Sequence, residues 1–65
     1  MPYLNSTAIS RVEYDEKSAR MTIWFTSGGG GYDFCGVPMD VYEGLINASS
    51  AGSYYNDYIR DRYQC

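Results

Sequence analysis

The chain has 65 residues, 17% of them aromatic, and a formal net charge of −3 at pH 7. That length holds one domain, which buries only about 60% of the surface its unfolded chain exposes, so self-association is expected; so much aromatic bulk excludes disorder. With Lys17 as its only lysine and no histidine beside Cys35 and Cys65, the composition argues against tight generic binding to duplex nucleic acid and against a tetrahedral zinc site.

Residues 8–14 predict a first strand, with Val12 and Tyr14 on one side and Ile9 on the other, which implies a bulge or a late start. Asp15-Glu16-Lys17-Ser18 is a polar turn. Met21, Ile23 and Phe25 then alternate with Arg20, Thr22, Trp24 and Thr26, as in a strand buried on one face. Gly28 to Gly31 interrupts that pattern, and Tyr32-Asp33-Phe34-Cys35 resumes it with Tyr32 and Phe34 on one face. Three strands with short links predict an antiparallel meander.

Pro38 suits the first turn of a helix and Asp40 its positive end, while Val41, Tyr42, Leu45, Ile46 and Ala48 form one arc opposite Asp40, Glu43 and Asn47. Ser49-Ser50-Ala51-Gly52 breaks this helix. Ser53 is the expected cap of a second one, whose inner side is Tyr55, Tyr58, Ile59 and Tyr63 and which ends near the C-terminus. The predicted fold class is α+β: a three-stranded antiparallel meander followed by two helices on one face, βββαα, in a single domain over 1–65. Nothing in the sequence signals export or a membrane span, so a cytoplasmic setting is expected. Two cysteines are too few for a disulfide scaffold, and their pairing is not expected. The glycosylation-like triplets Asn5-Ser6-Thr7 and Asn47-Ala48-Ser49 read as turn and cap chemistry.

The glycine loop leads into a strand rather than a helix and supplies no lysine, so a hairpin is favoured over a phosphate cradle. A polar or anionic ligand site is more strongly indicated at Gly52, Ser53, Tyr54 and Asn56, where a glycine turn enters a helix start and exposes backbone donors beside hydroxyl and amide groups. Arg62 falls inside the aromatic arc of the second helix and calls for a stacking ring, a carboxylate or a bound anion; Arg60 lies on its polar side. Trp24 falls on the sheet face opposite Met21, Ile23 and Phe25, and with Tyr58 it is assigned to an oligomer or partner interface. No histidine exists, neither cysteine has an assignable base, and the carboxylates read as turn and helix-surface charges, so no catalytic residue, metal or cofactor is expected.

The order and spacing of Ser6, Ile9, Tyr14-Asp15, Phe25, Ser27-Gly28, Tyr32, Val37-Pro38, Tyr42, Ala48, Ser50, Gly52, Tyr55-Asn56, Ile59-Arg60 and Tyr63 resemble the KTSC family. These are small domains found at the C-terminus of some lysyl-tRNA synthetases and as stand-alone bacterial and phage proteins. Basic residues common in the family are replaced here by Asp33, Ala51 and Ser53, and the hairpin loop carries an additional glycine. The resemblance and the residues together imply a non-enzymatic binding module. It is expected to be a homo-oligomer that holds or sequesters a small anionic or nucleotide-like ligand, as a phage or bacterial accessory or anti-defence protein would. A protein-binding inhibitor or adaptor is the alternative, and an RNA or single-stranded nucleic-acid binding accessory ranks third because of the acidic balance.

Overall fold

The computed structural model describes residues 8–65. The Asn5-Ser6-Thr7 triplet, and with it Ser6, lies outside the described residues. Strands β1 (Ile9–Asp15), β2 (Arg20–Phe25) and β3 (Gly31–Phe34) form an antiparallel sheet in the order β1-β2-β3. Helix α1 (Met39–Asn47) follows, and then helix α2 (Ala51–Tyr54), which runs directly into a π-helical turn over Tyr55–Ile59. The meander and the strand-then-helix order agree with the hydrophobic alternation in the sequence.

Strand pairing explains which side chains go inside. Val12 opposes Ile23, and Tyr14 opposes Met21, with Phe34 across from Met21 on the other side. The register slips between Ile9 and Arg11, and this bulge returns Ile9 to the inner face opposite Phe25. Ile9, Val12, Met21 and Ile23 are completely sealed there with Val37, Leu45 and Ile59. These aliphatic groups supply most of the driving force, at roughly 1.5–3 kcal/mol per buried side chain before the entropy of ordering the chain is subtracted.

Two bonds lock the crossing from sheet to helix. The Val37 amide donates to the Ala19 carbonyl at 2.8 Å, and the Tyr14 hydroxyl donates to the Val37 carbonyl at 2.7 Å. Tyr14 also stacks on Tyr42 of α1, with ring centroids 4.6 Å apart. One strand tyrosine thus fixes both the loop before α1 and the first turns of the helix. Leu45 is the buried centre of α1, while Asp40, Glu43 and Asn47 are exposed as the helical arc requires. Gly44 lets α2 approach: a Cβ there would meet the Tyr54 ring, with Cε2 at 2.9 Å.

The second helix departs from its expected form. Ser50, rather than Ser53, is its N-cap, and the Ser50 hydroxyl oxygen accepts from the Ser53 amide at 3.4 Å. The Arg60 amide donates to the Tyr55 carbonyl at 2.8 Å, an i to i+5 bond that marks the π turn. The helix stops at Ile59: Arg60 adopts ψ 128°, and Asp61 takes a positive φ of 62°. This widened turn buries Ile59 but carries Tyr58 outward to 55% exposure, against the expectation that both face in. Tyr63 reaches the core from beyond the helix, half-buried.

Cys35 and Cys65 form a disulfide across a sequence separation of 30, with Cα atoms 4.9 Å apart. This corrects the expectation of unpaired thiols. A pair gives no spacing pattern to read, and the juxtaposition arises only because the reversal at Asp61 sends the C-terminus back to the end of β3. There the Cys35 amide donates to the Tyr63 carbonyl at 2.9 Å.

Candidate functional site

The inner face of the sheet is not sealed along its whole width. At the β3 edge the residues become aromatic, and an open groove of about 390 Å³ lies among Phe25, Tyr32, Phe34 and Tyr55. Its remaining lining is polar: Ser27, Asp33, Asp61 and Gln64. Tyr32 belongs to the inner face because it pairs with Ile23. The helices end before covering it, which leaves Tyr32 50% exposed while Phe34 keeps only 8%.

The rings brace one another edge to face. Phe25 meets Tyr32 at a centroid distance of 5.5 Å and Tyr55 at 5.2 Å, and Phe34 meets Tyr55 at 5.9 Å. Such pairs add roughly 0.5–1.5 kcal/mol each beyond their buried area. The wall is therefore preorganised around Tyr55, and Tyr32 is its open member. Burial holds the Tyr55 hydroxyl above its ordinary pKa; the charge of Arg60 acts downward, and Asp61 and Tyr32 act upward. Both charged residues thus lie within electrostatic reach of the ring. Arg60 and Asp61 stand 4.0 Å apart as an exposed pair, a contact of small energetic value that leaves the guanidinium accessible.

The residues assigned to a ligand from sequence are distributed differently. Gly52 packs against the chain's first described residue: a Cβ there would lie 2.9 Å from the Ala8 Cβ. The Ser53 amide is occupied by the Ser50 cap, and the two serine hydroxyls share a 3.1 Å bond. Tyr54 is half-buried against α1 and tilts onto Tyr58 with centroids 4.7 Å apart. Asn56 is exposed. Arg60 and Arg62 are also exposed, beyond the end of the π turn, so Arg62 never enters the aromatic arc that an unbroken α-helix implies. None of the assigned group lines the groove, and Arg60 is the member whose charge acts on Tyr55 of its wall.

Trp24 sits on the sheet face away from the helices, as the alternation requires. It is half-buried there, with the Arg11 guanidinium 4.6 Å from the ring centroid. Arg11 also pairs with Glu13. Gly31 opposes Trp24 and leaves it room, since a Cβ would approach its Cε2 to 2.9 Å. The same face carries a Thr22 hydroxyl donating to Asp33 at 2.9 Å. Sequence reasoning missed the groove because Tyr32 and Phe34 read as ordinary strand core. No local pattern signalled it, because the groove opens only where the second helix ends early at Ile59.

Three strands, two helices and an aromatic groove at the sheet edge define a small α+β domain of the βββαα type. The sequence profile of the KTSC domain matches residues 5–63, and the chain belongs to that family. A lysine–tRNA ligase from Nostoc punctiforme is 34% identical over 58 residues, which cover 89% of this chain but 10% of the ligase. A protein from Tsukamurella paurometabola is 31% identical over 64 residues, covering 98% of this chain and 94% of its own length. The crystal structure of a KTSC domain protein from Yersinia pestis matches with a TM-score of 0.91 at 25% identity, covering 98% of this chain and 89% of that one.

Proposed function

We propose that this KTSC domain is a non-enzymatic binding module for a nucleotide-like ligand, with the base held against Tyr32, Phe25 and Tyr55 and the anionic end directed toward Arg60. The observation that carries this reading is the braced aromatic wall with one half-exposed ring at an open groove. A flat base supplies the stacking area that the wall leaves unsatisfied, worth about 1–3 kcal/mol per base. The polar lining suits the donor edge of such a ring. That a lysine–tRNA ligase contains a related segment is in keeping with this ligand class.

A net charge of −3 makes stacking, rather than phosphate neutralisation, the main source of affinity. Binding should therefore depend only weakly on salt. Titration calorimetry with AMP, GMP, CMP and UMP tests the reading: at least one binds, and Tyr32→Ala weakens it by about tenfold or more. Heats that stay at the dilution level for all four, or an affinity indifferent to Tyr32→Ala, would remove it. Self-association belongs to the same proposal, with the Trp24 face of the sheet as the surface a second copy covers. Sedimentation equilibrium reads this directly, and a strict monomer at high micromolar concentration would discard it.

A further inference from the structure

The groove has one wall that belongs to neither the sheet nor the helices. Asp61 and Gln64 line it from the C-terminal tail, which leaves the π turn at Arg60 and reverses at Asp61. Among the described residues, four attachments hold that tail: the Cys35–Cys65 disulfide, the Cys35 amide bond to the Tyr63 carbonyl, the Arg62 amide bond to the Ile59 carbonyl at 3.0 Å, and the half-buried ring of Tyr63. The covalent one lies at the far end, one residue beyond Gln64. Neither cysteine belongs to the sealed aliphatic core.

We infer that the disulfide is a redox latch on the groove: oxidised, it fixes the tail as the wall that carries Asp61 and Gln64; reduced, it releases that wall while the sheet and α1 remain folded. This rests on the groove being the ligand site. The step needs a dithiol reductant. One thiolate of the reductant attacks a sulfur of the Cys35–Cys65 bond and forms a mixed disulfide, and its second thiol resolves it. Two electrons and two protons pass to the protein, leaving Cys35 and Cys65 as thiols and the reductant as a disulfide.

Separation of the latch from the core is legible in the contacts. Ile9, Val12, Met21, Ile23, Val37, Leu45 and Ile59 form the sealed core, and neither cysteine is among its members or the hydrophobic groups packed against it. After scission, the tail keeps, among the described residues, two backbone bonds and one partly covered ring, an attachment weak enough to open locally. The segment then samples open states in which Gln64 leaves the groove.

Amide hydrogen exchange followed by NMR tests the latch without any ligand, on the oxidised chain, the dithiothreitol-reduced chain and Cys35→Ser/Cys65→Ser. Reduction and the double variant should each accelerate exchange at the Cys35 amide by at least about tenfold, with β1 and β2 amides unchanged. Unchanged protection at Cys35 would overturn the latch, and so would loss of protection throughout the sheet, which would make the bridge a staple for the whole fold. AMP titration of the same samples separates the two claims. Weaker AMP binding on reduction supports the latch as a control of the groove, and equal affinity in both states overturns that control. Absence of AMP binding to the oxidised chain also overturns the control of AMP by this latch, and the four-nucleotide panel then decides whether the binding proposal falls with it.

Discussion

The two edges of one sheet face have been built to opposite specifications. Across β1 and β2 the sealed inward groups are Ile9, Val12, Met21 and Ile23, the bulge at Ile9 brings even the out-of-step residue inside, and Val37, Leu45, Ala51 and Ile59 close over them. At β3 the inward groups are aromatic, the helix above has widened into a π turn, and Tyr32 stays half open. A domain of 65 residues buries a smaller share of its surface than a larger one, and here the sealed share lies on one side. The contrast shows stability concentrated on one side and an accessible ring wall left on the other.

Ile23→Ala should have the largest effect, because Ile23 is fully sealed at the centre of the β1–β2 side. A loss of about 2–5 kcal/mol is expected. Urea denaturation reads it, and a domain this small would be near or past its unfolding threshold. Gly44→Ala comes next, at about 1–3 kcal/mol, since the added methyl drives into the Tyr54 ring where α1 and α2 meet. A thermal midpoint equal to that of the parent would show that Tyr54 swings aside freely.

Alkaline pH divides the molecule by its tyrosines. Burial is the leading cause that raises Tyr14, Tyr54 and Tyr55 above the ordinary value of 10.0; nearby carboxylates add to it for Tyr14, led by Glu16, and Asp40 does so for Tyr54. The folded state thus holds these protons more tightly than the unfolded chain. Their contribution is fully present below pH 10 and is lost as pH rises through the raised values. Equilibrium unfolding between pH 9 and pH 12 should show stability falling above about 10; a flat profile there would contradict the burial of these hydroxyls.

The smallest stability effect belongs to the open side. Tyr32→Ala is expected to cost under about 1 kcal/mol in urea, because half of the ring already meets solvent. A cost as large as that of Ile23→Ala would erase the distinction between the two edges.

Much of the sealed side could be read in advance. Alternation at Met21, Ile23 and Phe25, the slip at Ile9, and the arc around Leu45 follow from side-chain period alone, and they place strands and helix where they are found. The open side resisted reading because its geometry depends on contacts distant in sequence. The π turn over Tyr55–Ile59 turns Tyr58 out and ends the helix before Arg62, which no wheel drawn at 3.6 residues per turn reveals. The Cys35–Cys65 bridge then depends on that early ending. With the helix ending at Ile59, the open groove lies at the rings of β3 and the returning tail rather than at Gly52 and Asn56.

Chemical-shift mapping of the oxidised, isotope-labelled protein with AMP probes the division between the two edges most directly. Shifts are predicted at Tyr32, Phe34, Tyr55, Asp61 and Gln64, with Gly52, Ser53 and Asn56 unmoved. A footprint centred on Gly52 to Asn56, or no footprint at millimolar AMP, would contradict the assignment of the aromatic groove as the binding side of this domain.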